Sequence, residues 1–312
     1  MIPLYPHKPI ASLNSLAKAL GTTSDTLSNL TANSDKYFYL TKVINKPDGS
    51  VRNTYDVKPE LKKFHERINT FFLKQVKYPN FLHGSLKGKD YISNTKEHTN
   101  KKVVISTDVS NFFPSISKKT IHEVWVGVFN FSHTVADCLS ELVTHKGFLV
   151  QGSKVSSYLA NLVLWGRESK LVCFFNKKGY VYTRYVDDIT ISCDRNLTKI
   201  EIADITSQVY AMLKSIDVAP NRKKYAVMTN GNSQSVHRLN VNRSVPTMSK
   251  SERAKIKSAV FECESKAAEN RGTHEYIKLY NQTMGRVNSM KRLHSDLGDK
   301  LISRLKCVKP TP

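Results

Sequence analysis

Two adjacent carboxylates, Asp187 and Asp188, stand between two short runs that each read as a β-strand, and no other arrangement in the sequence constrains the fold as much. The upstream run, Val181-Tyr182-Thr183-Arg184-Tyr185, is rich in β-branched and aromatic residues. The downstream run, Ile189-Thr190-Ile191-Ser192-Cys193, alternates apolar with polar. Together they predict a hairpin with Tyr185-Val186-Asp187-Asp188 at its tip. Neighbouring aspartates repel each other, so holding both ionised is best met by a divalent cation beside them. Magnesium, a hard ion bound by carboxylates and phosphates, is the first candidate. The competing reading is a solvated Asp-Asp turn.

A further acid lies upstream, where Val103-Val104-Ile105-Ser106-Thr107 has the pattern of a buried strand and runs straight into Asp108. If the two strands lie side by side, Asp108 and Asp187 can clamp two magnesium ions. One would activate a 3′-hydroxyl and the other would steady a leaving pyrophosphate, which is two-metal nucleotidyl transfer. Alternatively, Asp108 caps the following segment, Ser110-Asn111-Phe112-Phe113-Pro114-Ser115, which reads as a turn before a helix.

Three ordered blocks resemble one family, the reverse transcriptases, and within it the retron type found in bacteria. Asp108-Val109-Ser110-Asn111-Phe112-Phe113-Pro114-Ser115-Ile116 is similar to the family's first catalytic motif. Gln151-Gly152-Ser153, followed by Ser156-Ser157-Tyr158-Leu159-Ala160-Asn161-Leu162, is similar to its template- and nucleotide-handling block. Tyr182 to Ser192 resembles the second catalytic motif. A chance match to one block is plausible; three in the right order and spacing are not. The resemblance implies Asp108, Asp187 and Asp188 as catalytic residues. It implies Asp108, Val109, Asp187 and Asp188 as ligands of two magnesium ions.

Weaker blocks extend the resemblance. Lys46-Pro47-Asp48-Gly49-Ser50-Val51-Arg52 reads as a hairpin turn and strand carrying the basic residue that contacts the incoming triphosphate in polymerase fingers. Arg52 also fits a solvated surface charge. Asn221-Arg222-Lys223-Lys224 resembles the motif in which a lysine, here Lys224, approaches the nucleotide phosphates, although a basic cluster is commonly just a solvated face. Phe113 occupies the place of the aromatic that lies beneath the sugar and excludes a 2′-hydroxyl, or else is a core phenylalanine beside Phe112. Gln151, also read as nucleotide-binding, precedes a Gly152 that is either a hinge letting the backbone approach a base pair or simple punctuation between helices.

Departures from the family pattern are Lys154-Val155, where relatives often carry a small residue and a proline, and Asn94-Thr95-Lys96-Glu97-His98, which has threonine for alanine in an Asn-Ala-x-x-His signature. Val236-His237-Arg238-Leu239 stands where retron enzymes typically show Val-Thr-Gly-Leu, a motif tied to recognition of their own RNA. The RNA-binding residues implied are Asn94, His98, Arg238, Arg243 and Lys255; for His98 a structural hydrogen bond competes.

The chain carries 48 Lys plus Arg against 26 Asp plus Glu, a formal charge of +22 with a pI near 9.7, and such a field attracts phosphate backbones. The excess is concentrated late: residues 221 to 312 hold 19 basic and 7 acidic side chains. There Ile256, Val260, Phe261, Ile277 and Tyr280 are spaced like a buried helical stripe, with a positive opposite face suited to gripping a duplex. The expected fold is α+β, a right-hand polymerase with fingers, a palm of antiparallel sheet backed by helices, and a basic helical thumb. The expected divisions are a helical segment over 1–40, fingers and palm over 41–235, and thumb over 236–312. Helices are expected over 12–20, from about 118 to 145 and over 158–175.

No run approaches the roughly 20 apolar residues of a membrane span, and the N-terminus lacks the shape of a signal peptide, so a cytoplasmic protein is expected. Five scattered cysteines, Cys138, Cys173, Cys193, Cys263 and Cys307, indicate neither a zinc site nor a disulfide framework; they read as reduced packing residues. No ribonuclease H, endonuclease or maturase domain is expected after the basic region, as in a stand-alone retron enzyme. The resemblance implies a cognate structured non-coding RNA, partly copied from dNTPs into single-stranded DNA joined to RNA and primed from a 2′-hydroxyl. It also implies a separate effector protein in antiphage defence. The alternatives are an intron-type or abortive-infection reverse transcriptase, or a non-catalytic RNA-binding scaffold.

Overall fold

The computed structural model describes residues 2–45, 49–269 and 271–311. The chain forms two compact units. One holds the residues up to Glu97 together with Lys102–Val227, the other His98–Lys101 with the residues from Met228 onward. The larger unit opens with α1 (Leu13–Ala19) and α2 (Ser24–Ala32), whose first turns are capped by the hydroxyls of Ser12 and Thr23. Leu16, Leu20 and Leu27 from this region are buried in the unit's core. The strands β1 (Phe38–Asn45) and β2 (Val51–Val57) pair as an antiparallel ribbon. The turn expected at Lys46-Pro47-Asp48 lies outside the described residues. Helices α3 (Pro59–Phe71) and α4 (Tyr91–Lys96) follow.

Strand β3 (Val103–Val109) leads into a single turn of helix, α5 (Phe112–Ser115), and then α6 (Lys118–Gly127) and α7 (His133–Val143). The helical run expected from 118 to 145 is therefore two helices, divided where Asn130 turns to φ +55° and Ser132 caps the next start. After the short β4 (Thr144–His145) and β5 (Phe148–Leu149), the expected single helix over 158–175 is also two: α8 (Ser156–Leu162) and α9 (Trp165–Lys177). Next come β6 (Tyr180–Tyr185), β7 (Asp188–Cys193), α10 (Lys199–Lys214) and β8 (Pro220–Thr229).

The central sheet has the order β6-β7-β3-β8. Both β6 and β3 run antiparallel to β7, and the register sets Asp108 opposite Asp188 and Tyr185 opposite Asp188. Side chains alternate across a strand, so this register decides which residues share a face. Tyr180 and Tyr182 of β6, Ile189, Ile191 and Cys193 of β7, and Val103 and Ile105 of β3 all turn into the helical core. Thr183, Thr190, Ser106, Asp108 and Asp188 share the other face. The apolar–polar alternation of residues 189–193 is this two-faced arrangement.

The second unit begins with the small sheet of β9 (Ser235–Val236), β10 (Leu239–Asn240) and β11 (Thr247–Met248), ordered β11-β10-β9. Helices α11 (Lys250–Ala267), α12 (His274–Lys291) and α13 (Ser295–Cys307) then close around Val260, Cys263, Val287, Met290 and Leu305. Ile256, Val260 and Tyr280 lie in that core as expected, but Phe261 is 65% exposed, and Tyr276 is buried where Ile277 is only half-buried. At 100° per residue, Phe261 falls outside the arc that Ile256, Val260 and Cys263 define. Of the cysteines, all free, Cys138, Cys193 and Cys263 are packing residues, whereas Cys173 on α9 and Cys307 on α13 are exposed. Among the described residues no helix is long and apolar enough to cross a membrane.

Candidate active site

The chain between β6 and β7 reverses in two residues, and Val186 takes it round at φ +59°. A β-branched residue there is an outlier that persists only where its surroundings hold it. The Val109 N–H donates to the Asp187 carbonyl at 3.1 Å and ties the turn to the end of β3. On the other side, the His83 N–H donates to the Arg184 carbonyl and the Arg184 N–H to that of Phe81, both at 2.9 Å, so residues 81–83 run along the edge of β6. Gly84 then passes so close to the turn that a Cβ would strike Val186 Cγ2 and lie 2.6 Å from its backbone nitrogen.

The three acids converge here. Asp108 is 5% exposed, and its Oδ2 accepts from Asn221 Nδ2 and pairs with Lys224 Nζ, each at 3.0 Å. It does not cap α5; that place falls to Asn111, in a left-handed conformation. Burial and the Asp108 charge raise the Asp187 carboxyl above its ordinary range. Burial, reinforced by Asp187 and Asp108, pushes Asp188 up to about 7. Carboxylates raised by desolvation and by one another are a donor set suited to a hard cation, which would relieve both effects. Among the described residues no three such side chains are yet closed into a metal cage; Asp108 is instead held by an ammonium and an amide.

A cavity of about 640 Å³ opens on these acids, within the larger unit. Its walls include Arg52 from β2, Asp108 from β3, Phe113 from α5, Gln151 from the loop after β5, Asp187 from the turn, and Lys224 from β8. All four expected nucleotide-binding residues therefore meet in one space with two of the acids. Of the two phenylalanines, Phe112 is buried at 3% exposure and Phe113 lines the cavity. The Gln151 carbonyl accepts from the Tyr55 N–H at 2.8 Å, which docks the ribbon on this loop. Gly152 stands at φ +109°, where a Cβ would collide with the Tyr55 carbonyl oxygen. This glycine is therefore more than punctuation: its backbone closely approaches β2.

The expected RNA contacts divide. Asn94 and His98 are buried at 1% and 0% exposure, and Asn94 Nδ2 donates to Thr183 Oγ1 at 2.8 Å. Neither side chain reaches solvent, so both leave the set of RNA contacts, and the Asn-x-x-x-His signature is structural here. Arg238, Arg243 and Lys255 are exposed on the second unit. Arg238 and His237 form the two-residue turn between β9 and β10, with φ +64° and +48°, while Val236 and Leu239 pair in register and are buried. The two retained residues of the altered motif are thus its hairpin anchors. Lys255 is paired with Glu252 at 2.7 Å.

Four residues that sequence reasoning did not single out complete the site. Asn221 holds Asp108, Gly84 admits the turn, and fully buried Arg184 and Glu168 pair beneath it. Two of them carried a signal: Asn221 opens the block that holds Lys224, and Arg184 is a charge on the core-facing side of a strand between Tyr182 and the turn.

Such a sheet, acids and cavity define a nucleotidyl-transferring polymerase palm. The profile of the family described as reverse transcriptase (RNA-dependent DNA polymerase) matches residues 44–258. The retron Se72 reverse transcriptase of Salmonella heidelberg is 35% identical over 294 residues, covering 93% of this chain and 78% of the relative. The retron Ec48 reverse transcriptase of Escherichia coli is 31% identical over 320 residues, covering 98% and 78%. A fainter likeness runs to telomerase from Candida albicans in complex with a fragment of telomeric RNA (TM-score 0.48, 11% identity, 88% of this chain and 58% of that one). The chain belongs to the reverse transcriptases, and within them to the retron type. It is an RNA-directed DNA polymerase with the α+β right-hand fold, the four-stranded sheet forming the palm.

Proposed function

We propose that this polymerase copies part of a cognate structured non-coding RNA into single-stranded DNA that stays joined to RNA, starting from a 2′-hydroxyl of that RNA. The observation that carries the reading is the single cavity joining Arg52, Phe113, Gln151 and Lys224 to Asp108 and Asp187, in a chain whose relatives are retron enzymes. Asp108, Asp187 and Asp188, with the Val109 main chain, would hold two magnesium ions, which when bound supply activation of the primer hydroxyl and charge neutralisation at the leaving pyrophosphate. Lys224 leaves Asp108 for the triphosphate of an incoming dNTP and shares it with Arg52. Phe113 lies beneath the sugar and leaves no room for a 2′-hydroxyl, and Gln151 borders the template base. Arg238, Arg243 and Lys255 contact the RNA, drawn by the positive field of the second unit. The protein acts in the cytoplasm with a separate effector protein, in antiphage defence.

The test is to purify the protein from its native locus and treat the bound nucleic acid with ribonuclease, deoxyribonuclease and debranching enzyme. DNA released from RNA only by debranching is the expected result; RNA alone would overturn the self-primed reading. In the same assay Asp187→Asn should abolish DNA synthesis while RNA binding persists, and synthesis retained by that variant would sink the metal assignment.

A further inference from the structure

A charged residue with no exposed surface must find partners for all its hydrogen-bonding groups, and Arg184 does so completely. Its Nε and Nη2 fork onto Glu168 at 2.6 and 2.8 Å. Nη2 also donates to the Asn161 carbonyl at 3.0 Å, and Nη1 to the carbonyls of Ala160 at 3.1 Å and Val186 at 3.0 Å. One planar group thus grips α9, the end of α8 and the strained residue of the catalytic turn. Glu168 additionally accepts from the Tyr182 hydroxyl at 2.7 Å. Ala160 and Asn161 belong to the block that begins at Gln151, so the guanidinium joins this block to the residue preceding Asp187. Two further contacts define the same cradle: Asn161 Nδ2 donates to the Gly84 carbonyl at 2.7 Å, and Gly84 lies against Val186.

We propose that Arg184 is a positioning residue for DNA synthesis: through the Val186 carbonyl it sets Asp187 and Asp188 at a fixed place relative to the 151–162 block. The proposal rests on the reading of these aspartates as the catalytic acids. Lysine cannot do the work, because a single ammonium lacks the rigid fork that reaches two carbonyls on one element and a third on another. An apolar residue could fill the volume but leaves the left-handed valine with one grip fewer.

A residue that only stabilises the fold is distinguished from one that positions the turn by removing the whole network at once. The triple variant Glu168→Leu, Tyr182→Phe, Arg184→Met leaves no buried charge behind, and such replacements are commonly tolerated. Thermal midpoint, RNA affinity, and kcat and KM for dNTPs are measured by melting, filter binding and primer extension. The expected result is a folded, RNA-binding protein whose kcat falls about 100-fold, the scale of a misplaced reacting group, with KM for dNTPs changed less than about threefold. A folded triple variant with kcat within about threefold of the parent overturns the proposal. Should the triple variant not fold, Arg184→Lys decides in the same way: lost kcat at unchanged KM supports the proposal, and parental kcat ends it. If Asp187→Asn retains synthesis, the assignment of the acids has failed instead; if Asp187→Asn is dead and the Arg184 variants are fully active, only the positioning role falls.

Discussion

At the scale of single residues, burial decides what each polar group can do. His65 is fully buried; its Nε2–H donates to the Leu142 carbonyl at 2.7 Å and its Nδ1 accepts from Ser153 Oγ at 3.1 Å. Burial pushes the ring from 6.5 down to about 4. The unfolded chain then takes up this proton near pH 6.5 and the native state only near 4. The stabilisation is complete above pH 6.5 and is lost as pH falls toward 4, about 3 kcal/mol from this ring. His65→Gln should therefore show a shallower loss of stability than the parent in urea titrations between pH 7 and 4.5. Phe113 supplies a second test. Phe113→Val should raise the relative kcat/KM for ribonucleotides on the order of 10- to 100-fold, measured by primer extension with rNTPs against dNTPs. Unchanged discrimination would return Phe113 to a wall residue. That Asp108, Asp187 and Phe113 belong to one site was an expectation the contiguous motifs allowed, and all three line one cavity. The burial of Asn94 and His98 was not legible, because it depends on what the rest of the chain lays over them.

At the scale of elements, local patterns carried the strands better than the helices. The alternation over 189–193 is a direct record of a sheet with a core face, so β7 and the turn before it could be read from ten residues. The breaks at Asn130 and at Val163–Leu164 could not, since apolar period continues across both and only the backbone shows the interruption. The partnership of Arg184 with Glu168 was hidden for a related reason: the two stand 16 residues apart on a strand and a helix, with no periodicity linking them. Gly84 was also silent in sequence, yet its position against Val186 makes a sharp prediction. Gly84→Ala should overpack the turn that carries Asp187, costing about 1–3 kcal/mol of stability and lowering DNA synthesis, which melting and primer extension can follow together. An alanine variant with parental activity would mean that the turn can yield at this point without consequence.

At the scale of the whole molecule, charge and division into units dominate. A formal charge of +22 implies that RNA binding is driven largely by counterion release. Affinity should drop steeply with salt, by about 1,000-fold or more between 50 and 200 mM if six or more phosphates are contacted. A shallow dependence in filter binding would show that few of the lysines and arginines touch the backbone. The basic excess of the second unit was plain from composition, whereas the convergence of Arg52, Phe113, Gln151 and Lys224 was legible only through family resemblance, because four separate elements deliver them. The exposed thiols have a practical consequence. Cys173 belongs to one unit and Cys307 to the other, while the remaining three sulfurs are packed away from reagents. Dyes attached to the native chain would thus label both units without any engineered handle, and energy transfer between them would test whether the distance between the two thiols changes during synthesis.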